Sequence, residues 1–147
     1  MVRPDPVTDR IHAVALLSVL CDGVPSVVHY CAHEGNPIPM ERPRVSRGRA
    51  FTPTRTRAAV RSLAWDLRVA RGMGADLRGP VALAVLFFRA DRRRCDVDNL
   101  LKTVLDAGTE ARLWLDDSLV RAVAARVAVD REAPRTAVAW CEMPEAS

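Results

Sequence analysis

Residues 81–106 read Val81-Ala82-Leu83-Ala84-Val85-Leu86-Phe87-Phe88-Arg89-Ala90-Asp91-Arg92-Arg93-Arg94-Cys95-Asp96-Val97-Asp98-Asn99-Leu100-Leu101-Lys102-Thr103-Val104-Leu105-Asp106. Val81 to Phe88 is unbroken apolar sequence of strand length, the pattern of a buried strand rather than an amphipathic helix. After a loop over 90–95, a helix is expected from Asp98, whose carboxylate suits an N-cap, to about Asp106, with Gly108 closing it. Upstream, Ser26 to His33 reads as a strand that Gly35-Asn36-Pro37-Ile38-Pro39 ends. Met40 to Phe51 reads as an arginine-rich loop punctuated by Pro43 and Gly48. Thr52 or Thr54 caps a helix to about Arg71 that places Val60, Leu63, Ala64, Leu67 and Ala70 on one face, and Gly72 and Gly74 stop it. Downstream, Leu113-Trp114-Leu115 is a short extended segment. Leu119 to Val129 is expected as a strand, because Val123, Val127 and Val129 share parity, and Thr136 to Glu142 as the last strand. The order β-α-β-α-β-β predicts an α/β fold: a single small domain with a mixed β-sheet and two main helices packed on it. Residues 1–25 form an N-terminal extension, in which Thr8 to Leu20 reads as a short helix, ahead of the main domain over 26–147.

The length of 147 residues suits one domain with a sizeable core. Hydrophobic residues at 49% and charged residues at 27% exclude a disordered chain. No apolar run approaches the ~18 residues of a membrane helix, and the N-terminus lacks the pattern of a secretory signal, so a cytoplasmic protein with no membrane partner is expected. The four cysteines, Cys21, Cys31, Cys95 and Cys141, contain no C-x-x-C pair and read as buried thiols. Cys31 and His33 lack the second pair that a zinc site needs.

Charge is unevenly placed. From Arg42 to Arg94 there are fourteen arginines against three acids, and from Arg42 to Trp65 seven arginines and no acid. Such a block is the electrostatic footprint of a polyanion binder; the plainer reading is a solvated arginine-rich face. Of 22 basic residues only Lys102 is lysine.

The chemistry concentrates between Asp91 and Asp117. Asp96 and Asp98 alternate, so on an extended segment their carboxylates point the same way, about 6.6 Å apart, and can converge on one hard cation. Lys102 follows Asp98 by one helical turn, and Asp116-Asp117 adds carboxylates if the chain folds back. Acids beside Arg92-Arg93-Arg94 repel phosphate unless a divalent ion stands between them. The set therefore points to Mg²⁺-dependent cleavage of a phosphodiester, in which acids hold metal and arginines hold the backbone. The competing reading makes Asp98 a helix cap, Asp98–Lys102 a surface ion pair and Asp116-Asp117 a solvated turn. An EF-hand is excluded by leucine at 100 and 101.

Asp96-Val97-Asp98-Asn99-Leu100-Leu101-Lys102 followed by Leu113-Trp114-Leu115-Asp116-Asp117-Ser118 resembles the RusA family of Holliday junction resolvases, with its D-x-D-N-L-x-K and W-x-D-D patterns. Gly35-Asn36-Pro37-Ile38-Pro39-Met40-Glu41-Arg42-Pro43-Arg44 and Phe51-Thr52-Pro53 look like the family's earlier segments, so the resemblance covers roughly 26–142. It implies a small homodimeric α/β endonuclease that binds four-way DNA junctions and makes paired, symmetric, Mg²⁺-dependent nicks in recombination and repair, with Mn²⁺ substituting and no small-molecule cofactor. Carried over by position, the metal ligands are Asp96, Asp98 and Asp117, with Lys102 as the essential basic neighbour. Asp116 lies opposite Asp117 in an extended run and reaches the site only if the chain turns there. Arg42, Arg44, Arg47, Arg49, Arg92, Arg93 and Arg94 are the expected DNA-phosphate contacts. The alternatives are a non-catalytic branched-DNA-binding module and a nuclease acting on other branched DNA.

Overall fold

The computed structural model describes residues 6–25, 27–74 and 76–144; residues 1–5 of the expected extension and Ser26, the expected start of the first strand, lie outside them. In chain order the elements are α1 (Pro6–Leu20), β1 (His29–Glu34), β2 (Arg44–Ser46), β3 (Arg49–Phe51), α2 (Thr54–Arg71), β4 (Val81–Arg89), α3 (Val97–Glu110), β5 (Val120–Val129) and β6 (Arg135–Glu142), with a 3₁₀ turn at Asp117–Leu119 before β5. The main sheet has the order β1-β6-β4-β5. β4 pairs parallel with β5 and antiparallel with β6, and β6 pairs antiparallel with β1, so the sheet is mixed.

β4 lies between two strands, and helices cover both of its faces. Val81, Leu83, Val85 and Phe87 meet Leu63 and Leu67 of α2 and Leu100 and Val104 of α3 in one core cluster, which Trp114, Val138 and Trp140 complete. Ala82, Ala84, Leu86, Ala137, Ala139 and Cys141 meet Ala13, Leu17 and Cys21 in the other. Burial on both faces explains why β4 reads as an unbroken apolar run.

Three helices, not two, pack on the sheet. α1 covers the second face, where the alanines of β4 and β6 let a helix come close. Arg135 of β6 fixes it there: its Nε donates to Asp9 Oδ2 at 2.6 Å and its Nη2 to Asp9 Oδ1 at 3.1 Å. The same guanidinium donates to Asp130 Oδ2 at 2.8 Å and lies 3.8 Å from the Phe88 ring centre.

Two further local expectations are corrected. The segment expected as an open loop contains a two-stranded hairpin, β2–β3, whose turn has Arg47 and Gly48 at φ 51° and 76°. Positive φ at both central positions is what a tight two-residue hairpin turn requires. Gly108 does not close α3 but lies buried within it, against Trp114. The helix ends two hydrogen bonds later, with Leu113 N–H donating to Gly108 O and Arg112 N–H to Thr109 O. That is a Schellman end with arginine at the left-handed position, φ 56°. All four cysteines are free thiols, Cys95 alone being half-exposed.

Candidate active site

α3 starts where the acids are. Asp96, not Asp98, occupies its N-cap position, and Asp98 stands in the first turn; no side chain makes a capping hydrogen bond there. The extended spacing expected for the pair is therefore replaced by a helix start, and both residues are exposed. Neither carboxylate is consumed by the backbone, and both suit the positive end of the helix dipole.

Lys102 and Asp106 follow Asp98 at successive four-residue steps along α3, so the three share one exposed face. Among the described residues, Lys102 has no carboxylate within ion-pair distance. Asp106 is the residue the sequence reading missed. Its carboxyl is pushed above the usual carboxylate range, first by partial burial and then by the charge of Asp117. The 3₁₀ turn that carries Asp117 packs against α3, which brings the Asp117 charge within electrostatic reach of Asp106. The i, i+4, i+8 spacing of Asp98, Lys102 and Asp106 was the available signal.

Asp116 turns elsewhere. Its Oδ2 accepts a hydrogen bond of 2.5 Å from Ser118 Oγ, which holds its carboxyl below the usual range, and its carbonyl accepts from Leu119 N–H. It closes the 3₁₀ turn that presents Asp117.

Hydrogen bonds tie the segment that precedes the arginine-rich hairpin to this helix. Met40 N–H donates to Asn99 O at 2.9 Å, and Thr103 Oγ1 donates to Ile38 O at 2.9 Å. Asn36 Oδ1 accepts from Ala90 N–H at 2.9 Å, tying the same segment to the end of β4. Arg42, Arg44, Arg47, Arg49, Arg92, Arg93 and Arg94 are all exposed. Other arginines of the basic block serve the fold: Arg68 and Arg71 donate to Glu110 O and Ala111 O, carbonyls at the end of α3.

Among the described residues, no three His, Cys, Asp or Glu side chains are gathered into a group that could hold a metal ion by themselves. Mg²⁺ does not require such a cage: it keeps waters and is bound through one or two carboxylates plus substrate phosphate. Exposed hard-oxygen donors, with the Asp117 charge adding to burial in raising the Asp106 carboxyl, fit that mode. No described helix is long and apolar enough to cross a membrane.

Residues 34–139 match the family described as Endodeoxyribonuclease RusA. The Crossover junction endodeoxyribonuclease RusA of Escherichia coli (strain K12) is 36% identical over 77 residues, 52% of this chain and 63% of that protein. The protein of the same name from Enterobacteria phage 82 is 38% identical over 79 residues, with the same coverage of 52% and 63%. That of Shigella sonnei (strain Ss046) is 49% identical over 41 residues, 28% of this chain and 34% of its own length. The chain thus covers less than two thirds of the length of each of these relatives.

Proposed function

This chain belongs to the RusA family of endodeoxyribonucleases, and from that premise we propose that it resolves four-way (Holliday) DNA junctions by paired, symmetric, Mg²⁺-dependent nicks. The observation that carries the reading is the face of α3: Asp98, Lys102 and Asp106 in line, Lys102 without an ion-pair partner among the described residues, and the Asp117 charge close enough to act on Asp106. Stability gains nothing from an acid whose charge raises a neighbouring carboxyl in an arginine-rich chain, whereas phosphodiester cleavage uses both acids and arginines.

Asp96, Asp98 and Asp117 would hold the divalent ion, which supplies a water of lowered pKa and charge neutralisation at the phosphate. Lys102 extends its free ammonium over the same face and donates to a phosphate oxygen or to the attacking water. Asp106 holds its proton more tightly than an ordinary carboxylic acid, through partial burial and the charge of Asp117. The hairpin arginines and Arg92 to Arg94 hold the strands by their phosphates, which suits recognition by shape. A junction needs two cuts of like polarity and one chain brings one carboxylate cluster, so the active species is a two-fold dimer.

The test is nicking of a synthetic four-way junction, a flap and a linear duplex, with Mg²⁺, with Mn²⁺ and with chelator. Paired nicks in the junction with either ion, absent in chelator, are expected. Metal-independent binding with no cleavage under any condition would leave a DNA-binding module instead, and equal cleavage of the flap would remove the junction assignment.

A further inference from the structure

Arg89, the last residue of β4, is only 9% exposed. Its Nη1 donates to Arg93 O at 2.8 Å, while its Nε is buried with no hydrogen-bond partner. A buried donor left without a partner is unfavourable, because it has given up water and gained nothing in return. Arg89 also lines an open cavity of about 510 Å³ beside the edge strand β5. Arg92 and Arg93 stand on the same wall, Cys95 lies next to Asp96, and Val127 and Val129 of β5 form an apolar side. The one carboxylate in the lining, Asp91, accepts from Arg93 N–H at 2.9 Å through Oδ1, and its Oδ2 lies 3.8 Å from Arg93 Nε, a loose and exposed pair that a phosphate can replace. The cavity therefore carries three guanidinium charges against one acid.

We propose that this cavity is a nucleotide subsite beside the carboxylates: it takes one backbone phosphate of the substrate strand on Arg89, Arg92 and Arg93, and the attached deoxyribose against Val127 and Val129. It rests on the reading of the chain as a DNA-cleaving enzyme, and it gives Arg89 a role distinct from that of the exposed arginines. A guanidinium presents a planar fork that matches phosphate oxygens two at a time. With Nη1 committed to the Arg93 carbonyl and Nε enclosed, Nη2 is the guanidinium nitrogen left for a phosphate oxygen to reach. The valines offer a sugar the apolar contact that a bare arginine cluster lacks. Burial of Arg89 against the loop that leads into Asp96 means that a phosphate seated here fixes the strand relative to Asp96 and Asp98.

The experiment is a binding scan in chelator, so that its readout is independent of cleavage. Junctions carrying a single uncharged methylphosphonate at successive positions are titrated with the wild-type protein, Arg89→Met and Val129→Asp. For the wild type, one position is expected to weaken binding by about tenfold, the size of a lost charge-assisted hydrogen bond. Arg89→Met should bind the unmodified junction about tenfold more weakly, show no further loss at that position, and have a salt slope lower by about 0.9. Val129→Asp, on an exposed edge where the core is untouched, should bind the unmodified junction more weakly by repulsion and lose less than wild type when that one phosphate is neutralised, and it decides the matter if Arg89→Met does not fold. Folded variants that bind like wild type, or that weaken every position equally, would overturn the subsite. If the wild type does not prefer the junction to linear DNA, the junction reading fails, and the same scan on a linear strand still decides the subsite.

Discussion

Gly108 of α3 gives the Trp114 indole the space that a side chain would fill: a Cβ at Gly108 would overlap Cζ2 and Cη2 of the ring. Trp114 is fully buried, and its Nε1 donates to Thr109 Oγ1 at 3.0 Å. This contact holds the chain leaving α3 against the helix, and three residues later that chain presents Asp117 to Asp106. Gly108→Ala is therefore expected to destabilise the protein by about 1–3 kcal/mol, the usual cost of overpacking. It should also lower cleavage in the surviving folded fraction, because the displaced tryptophan carries the 3₁₀ turn with it. Thermal melts and specific activity check this; an unchanged Tm would show that the indole moves freely.

Asp106→Asn should reduce cleavage by roughly ten- to a hundredfold, the range for partners that support metal ligands, while junction binding holds or tightens as a negative charge is removed. Asp96→Asn, Asp98→Asn and Asp117→Asn should each abolish cleavage with binding retained. Asp116→Asn should be milder, since its carboxylate serves Ser118 rather than the site. Equal activity of Asp106→Asn and wild type in a metal titration would remove Asp106 from the site.

Arg135 binds Asp9 with both at most 13% exposed at the side chain. Arg135→Leu leaves that carboxylate buried without a partner and should cost about 3 kcal/mol or more. Asp130 adds a pH dependence: hydrogen bonding from Arg135, above all, holds its carboxyl below the ordinary range. A carboxyl lowered in the folded state stabilises the fold fully above its unfolded pKa of about 3.9 and loses that contribution as pH falls through the lower folded value. The stability gap between wild type and Asp130→Asn should thus be constant from about pH 5 to 8, well above that titration, and close below about pH 4. Urea melts across this range measure it; a gap that widens in acid would contradict the assignment.

The fold was legible where one physical demand acted alone. β4, buried on both faces, and α2, with one apolar stripe, stand where their patterns place them. α1 was harder, because its sequence is apolar on most sides, and only the alanines of β4 and β6 reveal which face it covers. The hairpin hid because Arg47 takes a left-handed conformation usually left to glycine or asparagine, so only Gly48 marked the turn. Of the proposed site residues, spacing singled out Asp96, Asp98 and Lys102, and the family resemblance chose Asp117 over Asp116, whereas Asp106 was read as a helix end. Its position opposite Asp117 depends on how the chain turns at Trp114, which no local pattern encodes.

The hairpin turn gives a test of phosphate recognition. Asparagine tolerates positive φ, so Arg47→Asn removes a charge and keeps the turn. It should weaken binding to branched DNA of every sequence alike and lower the salt slope by about 0.9. Loss confined to particular sequences would mean that Arg47 reads bases.

Lys102 is the one lysine in a chain that otherwise meets every need for positive charge with arginine. A surface ion pair would explain it if it bonded Asp98 or Asp106, one turn away on either side, but among the described residues no carboxylate lies within ion-pair distance of its ammonium. An unpaired ammonium between acids is available to a phosphate oxygen or a water. Arginine at 102 would behave differently: its fork locks two-toothed onto carboxylates, and the acids on either side are those proposed to serve the metal site. Lys102→Arg is therefore expected to keep the fold and junction binding but to lose most cleavage, nearly as much as Lys102→Ala. Extra metal should restore part of the arginine variant's activity, because the cation competes with the guanidinium for the same oxygens, and none of the alanine variant's. Nicking at the wild-type rate by Lys102→Arg would show that charge alone is needed at this position.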